Sequence, residues 1–174
     1  MLIALAAMFF GSMLVAGILR FSGWQPTGHR NHGQLQDPPT DLRALTPLRA
    51  DGSGYAWEPA QRTWRILVAP APGCRSECDQ LSQSLDRVWR LFGHNADNVE
   101  ILWMGAPPAA LAQTPALQVL QPQATLRAAL PGVDDPAGTP IYVVDPYGFV
   151  ILRYAPGSDP AGLRADLARL LKLK

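Results

Sequence analysis

Residues Trp64-Arg65-Ile66-Leu67-Val68-Ala69-Pro70-Ala71-Pro72-Gly73-Cys74-Arg75-Ser76-Glu77-Cys78 carry a change of backbone period. The run from Trp64 to Ala69 is short, apolar and rich in β-formers, and Pro70 bounds it, so it predicts a central strand. The Pro/Gly segment from Pro70 to Gly73 then turns the chain into Cys74. Beyond it Leu81, Leu85, Val88, Trp89 and Phe92 recur at spacings of three and four, one apolar face of a helix from about Glu77 to Phe92. Gly93 stops that helix. Two thiols four positions apart therefore fall where a strand hands over to a helix.

The same reading extends outward on both sides. Val99 to Met104 predicts a second buried strand, Leu117 to Leu120 a short one, and Ala124 to Leu130 a helix. Ile141 to Val144 and Phe149 to Tyr154 are strands joined by Asp145-Pro146-Tyr147-Gly148, whose Pro and Gly suit a β-turn, so they form a hairpin. Ser158 or Asp159 caps a last helix, Pro160 to Leu171, with proline at its first position. Strand, cysteine loop, helix and strand, then a hairpin and a helix, is the order of an α/β, thioredoxin-like domain. Upstream, Leu2 to Leu19 holds no charge and no proline and, with Phe21 and Trp24 extending its apolar reach, comes close to spanning about 30 Å of hydrocarbon, so it predicts a single N-terminal transmembrane helix with Trp24 at the interface. The expected organisation is an anchor over 1–22, an extended tether over 23–42 and the folded domain over 43–174.

Charge and cysteine usage narrow the function. Fifteen basic residues against fourteen acidic leave no long-range attraction for nucleic acid. Two cysteines cannot staple a mini-domain. A helix N-terminus stabilises a thiolate, which is both a nucleophile and a soft metal ligand, so Cys74 and Cys78 suit a disulfide, thiol exchange or Cu(I). Arg75 favours the thiolate and Glu77 opposes it. Two inert buried cysteines, or a purely structural disulfide, are the bland alternatives. His29 and His32 fall in the tether, where a solvated histidine is the simpler reading than a ligand, and His94 reads as helix-end punctuation. Arg20 and Arg30 after the helix would, by the positive-inside tendency, place the domain in the cytoplasm.

The anchor, the Cys74-Arg-Ser-Glu-Cys78 spacing and the Tyr142-Val-Val-Asp145-Pro146-Tyr-Gly148 hairpin resemble the Sco/SenC family, thioredoxin-like copper proteins that assemble cytochrome c oxidase. A nearer resemblance is to small membrane-anchored Sco-like proteins encoded beside cytochrome oxidase genes in proteobacteria. It is carried by Phe21-Ser-Gly-Trp24, Asn31-His-Gly33 with Pro38-Pro39, Arg153-Tyr154 and Asp166-Leu-Ala-Arg-Leu-Leu171.

The resemblance implies a single-pass protein of the bacterial inner membrane with its soluble domain in the periplasm. It implies cytochrome c oxidase subunits or assembly proteins as partners, and Cys74 and Cys78 as a thiol pair that could hold Cu(I). The family's third copper ligand, a histidine before the final hairpin, is missing: the region reads Asp134-Asp-Pro-Ala-Gly-Thr-Pro140. Pro140 is instead similar to the cis-proline that faces the cysteines in thioredoxins, or is simply a proline opening a strand. Three functions stay open: an oxidase assembly factor working by thiol exchange or Cu(I) handling, an accessory protein docked on the oxidase with an inert pair, and a general periplasmic thiol oxidoreductase.

Overall fold

The computed structural model describes residues 2–22 and 31–172, which form two units dividing after Arg30. The first unit is one helix, α1 (Leu2–Phe21), in which large apolar side chains such as Phe9, Phe10, Leu14 and Ile18 are exposed. Among the described residues no helix is long and apolar enough to cross a membrane, so the expected transmembrane span is not shown by the structure. Trp24, His29 and residues 23–30 of the expected tether lie outside the described residues.

In the second unit, β2 (Trp64–Val68) and β3 (Val99–Met104) are hydrophobic on both faces, as strands covered on both sides must be. Ile66, Val68, Val99, Ile101 and Trp103 point to one side. There α2 (Ser76–Arg90) and α4 (Pro160–Leu170) cover them with Leu85, Val88, Leu163 and Leu167. Leu67, Ala69, Leu102 and Met104 point to the other side. That face is closed by α3 (Ala124–Ala129) and by Leu42, Tyr55 and Trp57.

Four further strands complete the sheet: β1 (Gln34–Asp41), β4 (Leu117–Leu120), β5 (Ile141–Val144) and β6 (Phe149–Tyr154). Their order is β1-β6-β5-β2-β3-β4. β2, β3 and β4 run parallel, while β5 is antiparallel to β2 and β6, and β1 is antiparallel to β6. The expected hairpin is present. Asp145 Oδ1 accepts from the N–H groups of Tyr147, Gly148 and Phe149 at 2.8–2.9 Å, which fixes its turn. Asp159 caps α4 by accepting from the Ala161 N–H at 2.8 Å.

The start of the domain differs from the expectation. The folded unit begins at Asn31 rather than Arg43, because 34–41 pairs with β6 as an edge strand. Pro38 and Pro39 sit where the register shifts between Leu35 and Thr40, a place where missing N–H groups cost no ladder bonds.

One buried cation ties the N-terminal loops to the sheet. Arg65 is 1% exposed. It donates from Nε to the Tyr55 hydroxyl at 2.6 Å and from Nη2 to the Trp57 carbonyl at 2.9 Å. Its Nη1 donates to the carbonyls of Thr63 and Pro146 at 3.0 and 3.1 Å. The Tyr55 hydroxyl in turn donates to Glu100. Burial, with that bond to Glu100, raises the Tyr55 hydroxyl well above the ordinary tyrosine range.

Candidate functional site: a disulfide at the start of α2

The loop after β2 delivers Cys74 to the start of α2, and Cys78 lies in that helix's first turn. The two are joined in a disulfide with an S–S distance of 2.08 Å and Cα atoms 5.6 Å apart, within the range such a bridge accepts. Gly73 takes φ +81°, a left-handed conformation that glycine adopts without strain, and the Cys74 N–H closes the turn on the Ala71 carbonyl at 3.1 Å. Arg127 on α3 clamps the loop from below, donating to the carbonyls of Ala69 at 3.2 Å and Pro70 at 2.9 Å.

The two sulfurs stand in different surroundings. Cys78 is 3% exposed and belongs to the core under α2. Cys74 is half-buried, and both cysteines border a shallow groove shared with Pro70, Arg75, Met104 and Pro108. Of the two residues, Cys74 is therefore the more open to solvent.

The side chain that reaches the disulfide is that of Thr139. Thr139 Oγ1 accepts from the Ala71 N–H at 3.2 Å, which leaves its proton for Cys74 Sγ at 3.7 Å. Pro140 is buried at the head of β5, and the cis bond expected before it is absent: among the described residues the cis X–Pro bond is Asp37–Pro38. Pro140 thus takes its plainer role, opening a strand. Glu77, expected only as a charge opposing the thiolate, accepts the Thr139 N–H at 2.7 Å. The sequence gives no period or motif that would single out Thr139.

A second constellation joins pieces far apart in the chain. Asp166 on α4 is 2% exposed. Its Oδ2 accepts from the His32 N–H at 2.7 Å, the Gly33 N–H at 3.1 Å and the Tyr154 hydroxyl at 2.8 Å. Its Oδ1 lies 3.0 Å from His32 Nδ1. Burial alone would raise the Asp166 carboxyl, but the bonds from His32, Gly33 and Tyr154 outweigh it and hold the group below the ordinary aspartate range. Gly33 packs so tightly that a Cβ there would lie 2.6 Å from Cζ of Tyr154. His32 thus stays solvated, its side chain 54% exposed, as expected, but it is not a free tether residue: its N–H and Nδ1 tie the segment before β1 to α4. His94 is exposed beside Asn95, as expected of a helix end.

The donor set tests the expected copper. Reduction would free two thiolates, soft enough for Cu(I), but the third family ligand has no substitute: among the described residues no group of three His, Cys, Asp or Glu side chains could hold a metal. Among the described residues a three-ligand copper site does not fit.

A disulfide at the head of the helix after a central strand, on a mixed sheet covered on both faces, defines a thioredoxin-like disulfide domain. The chain belongs to the family described as transmembrane-like, thioredoxin-like, C-terminal domain, whose model matches residues 64–174. No curated protein sequence matches it.

Among solved structures it resembles copper-bound ScoI of Bradyrhizobium japonicum, with 18% identity and a TM-score of 0.51 over 79% of this chain and 98% of that one. It also resembles BsSco, of the Sco family of cytochrome c oxidase assembly proteins and described with a disulfide switch. There identity is 15% and the TM-score 0.52, over 87% of this chain and 100% of that one. The thioredoxin domain of a thiol-disulfide oxidoreductase from Bacteroides vulgatus follows, with 14% identity and a TM-score of 0.51 over 73% and 92%. At these identities the likeness is one of fold, and at that level the Sco-like thioredoxin fold expected from the sequence is borne out.

Proposed function

We propose that the chain is an assembly factor for a respiratory cytochrome c oxidase, acting by thiol–disulfide exchange at Cys74 and Cys78. In this reading α1 anchors it in the bacterial inner membrane and the domain from Asn31 onward works in the periplasm. The observation that carries the exchange chemistry is the unequal exposure of the two sulfurs, with the Thr139 hydroxyl on the accessible one. The anchor rests on the sequence, an uncharged run from Leu2 to Leu19 whose helix is apolar all round. A disulfide is at home in an oxidising compartment, which supports the periplasmic face over the one the flanking arginines favour. The oxidase partner rests on the resemblance to Sco proteins.

In the reduced protein the Cys74 thiolate attacks a disulfide of a partner subunit. One partner sulfur leaves as thiolate, and a mixed disulfide forms through Cys74. The Cys78 thiolate then attacks Cys74 Sγ, releasing the partner's second thiolate. The partner gains two electrons, and the chain is left with the Cys74–Cys78 bond the structure holds. A dithiol reductant must restore the thiols. An inert structural bridge would not need one sulfur half-open to a groove, and no observation of this chain favours copper handling over exchange.

Trapping tests the reading. In membranes carrying the oxidase, the full-length Cys78→Ser variant should accumulate a dithiothreitol-sensitive adduct with a cysteine-bearing oxidase subunit or assembly protein. Cys74→Ser should form none. Normal oxidase assembly with both cysteines replaced, and no adduct in either variant, would overturn it.

A further inference from the structure

We infer that Glu77 is a positioning residue for the cysteine pair: it holds Thr139 so that the Thr139 hydroxyl stabilises the charge on the Cys74 sulfur once the disulfide is opened. The inference deepens the exchange reading and rests on it. The contacts form a closed chain. Glu77 Oε1 accepts the Thr139 N–H at 2.7 Å, and the Ala71 N–H donates to Thr139 Oγ1 at 3.2 Å. With that oxygen already accepting, the Thr139 proton is aimed at Cys74 Sγ, 3.7 Å away. Gly138 makes the contact possible: at φ +135° it brings residue 139 so close to α2 that a Cβ on Gly138 would collide with the Glu77 carboxylate. Thr139 is 2% exposed, so water does not readily replace its hydroxyl at the sulfur.

A hydroxyl donates weakly to a neutral disulfide sulfur and more strongly to a thiolate. The contact therefore favours the reduced, dithiol form of the pair. Losing it should shift the exchange equilibrium toward the disulfide by about three- to tenfold, the worth of one such bond. Glu77 makes no contact with the sulfurs in this account; its effect passes through Thr139.

The test is the equilibrium constant of the full-length protein in detergent against dithiothreitol: protein disulfide plus dithiol giving protein dithiol plus cyclic dithiothreitol disulfide. It needs no physiological partner, so its outcome is separate from the trapping experiment. Thr139→Val, which keeps the shape and removes the hydroxyl, should favour the disulfide by about three- to tenfold. Thr139→Ser should stay near the parent value. Glu77→Ala should move in the same direction as Thr139→Val. Glu77→Gln, whose amide oxygen still accepts the Thr139 N–H, should stay at the parent value or lie on its dithiol side, since it removes the charge that opposes the thiolate. Two results would overturn the inference: a Thr139→Val constant equal to the parent's, or a Glu77→Gln shift toward the disulfide as large as that of Glu77→Ala, which would make the carboxylate's charge the active feature. A circular dichroism spectrum matching the parent's confirms that each variant compared is folded.

Discussion

Replacing Arg65 with methionine should destabilise the domain by about 3–5 kcal/mol, the usual cost of removing one member of a buried charged network. Methionine fills much of the same volume but donates nothing. The carbonyls of Trp57, Thr63 and Pro146 then lose a donor inside the protein, and the Tyr55 hydroxyl loses its guanidinium. Each buried polar group left unpaired costs about 1–3 kcal/mol. Arg65, within β2, bonds to three separate stretches: residues 55–57, Thr63 just before β2, and the turn of the β5–β6 hairpin. The loss should therefore register on the whole domain rather than on one loop. Thermal unfolding followed by circular dichroism should show a fall of about 10–20 °C for a domain of this size. A fall of only a few degrees would mean that water enters and replaces the guanidinium, and that the network contributes little.

Replacing Asp166 with asparagine should cost about 2–4 kcal/mol near neutral pH. The carboxylate accepts three hydrogen bonds on one oxygen, and an amide cannot present an acceptor on both sides. The pH dependence follows from its lowered pKa. Because the folded-state value lies below the unfolded value of 3.8, the contribution is fully present above that value. It is lost as pH falls from about 4 through the folded-state pKa. The gap in stability between the parent and Asp166→Asn should therefore be open at about pH 5 and close as the solution is acidified below about 4. Urea unfolding of both proteins over that range checks it. A gap that persists at low pH would show that the asparagine misfit, rather than the carboxylate charge, sets the cost.

The parts of the domain that pack with a period were legible in the sequence. The run at Trp64, the three-four spacing from Leu81 to Phe92 and the paired strands around Asp145 each bury a continuous face, so burial writes itself into residue order. Gln34 to Asp41 buries almost nothing and contains two adjacent prolines, so its place as β1 left no pattern. What holds it is hydrogen bonding to β6 and the contact of His32 and Gly33 with Asp166, across more than 130 residues of sequence. The segments Asn31-His-Gly33, Arg153-Tyr154 and Asp166 were visible as separate pieces of a family resemblance. Only the fold shows that three of their side chains and one glycine meet.

At the site the sequence separated chemistry from geometry in the same way. Cys74 and Cys78 stood out because thiols are rare in this chain and four residues apart. Thr139 did not, because a threonine 65 positions away has no local signature, and attention fell on the proline beside it. Arg65 was hidden for the opposite reason: a lone cation in an apolar strand reads as its exposed edge, whereas here carbonyls from neighbouring loops converge on it.

If Cys74 and Cys78 form a working redox pair, Cys74 is its reactive sulfur. The most direct measurement is a redox titration of the folded full-length protein in detergent, with free thiols counted and mapped by limiting alkylation after reduction. The bridge should open and reclose reversibly without unfolding the domain, yield two thiols and take the first label on Cys74. A bridge that resists reduction until the domain unfolds, or a first label on Cys78, would contradict it.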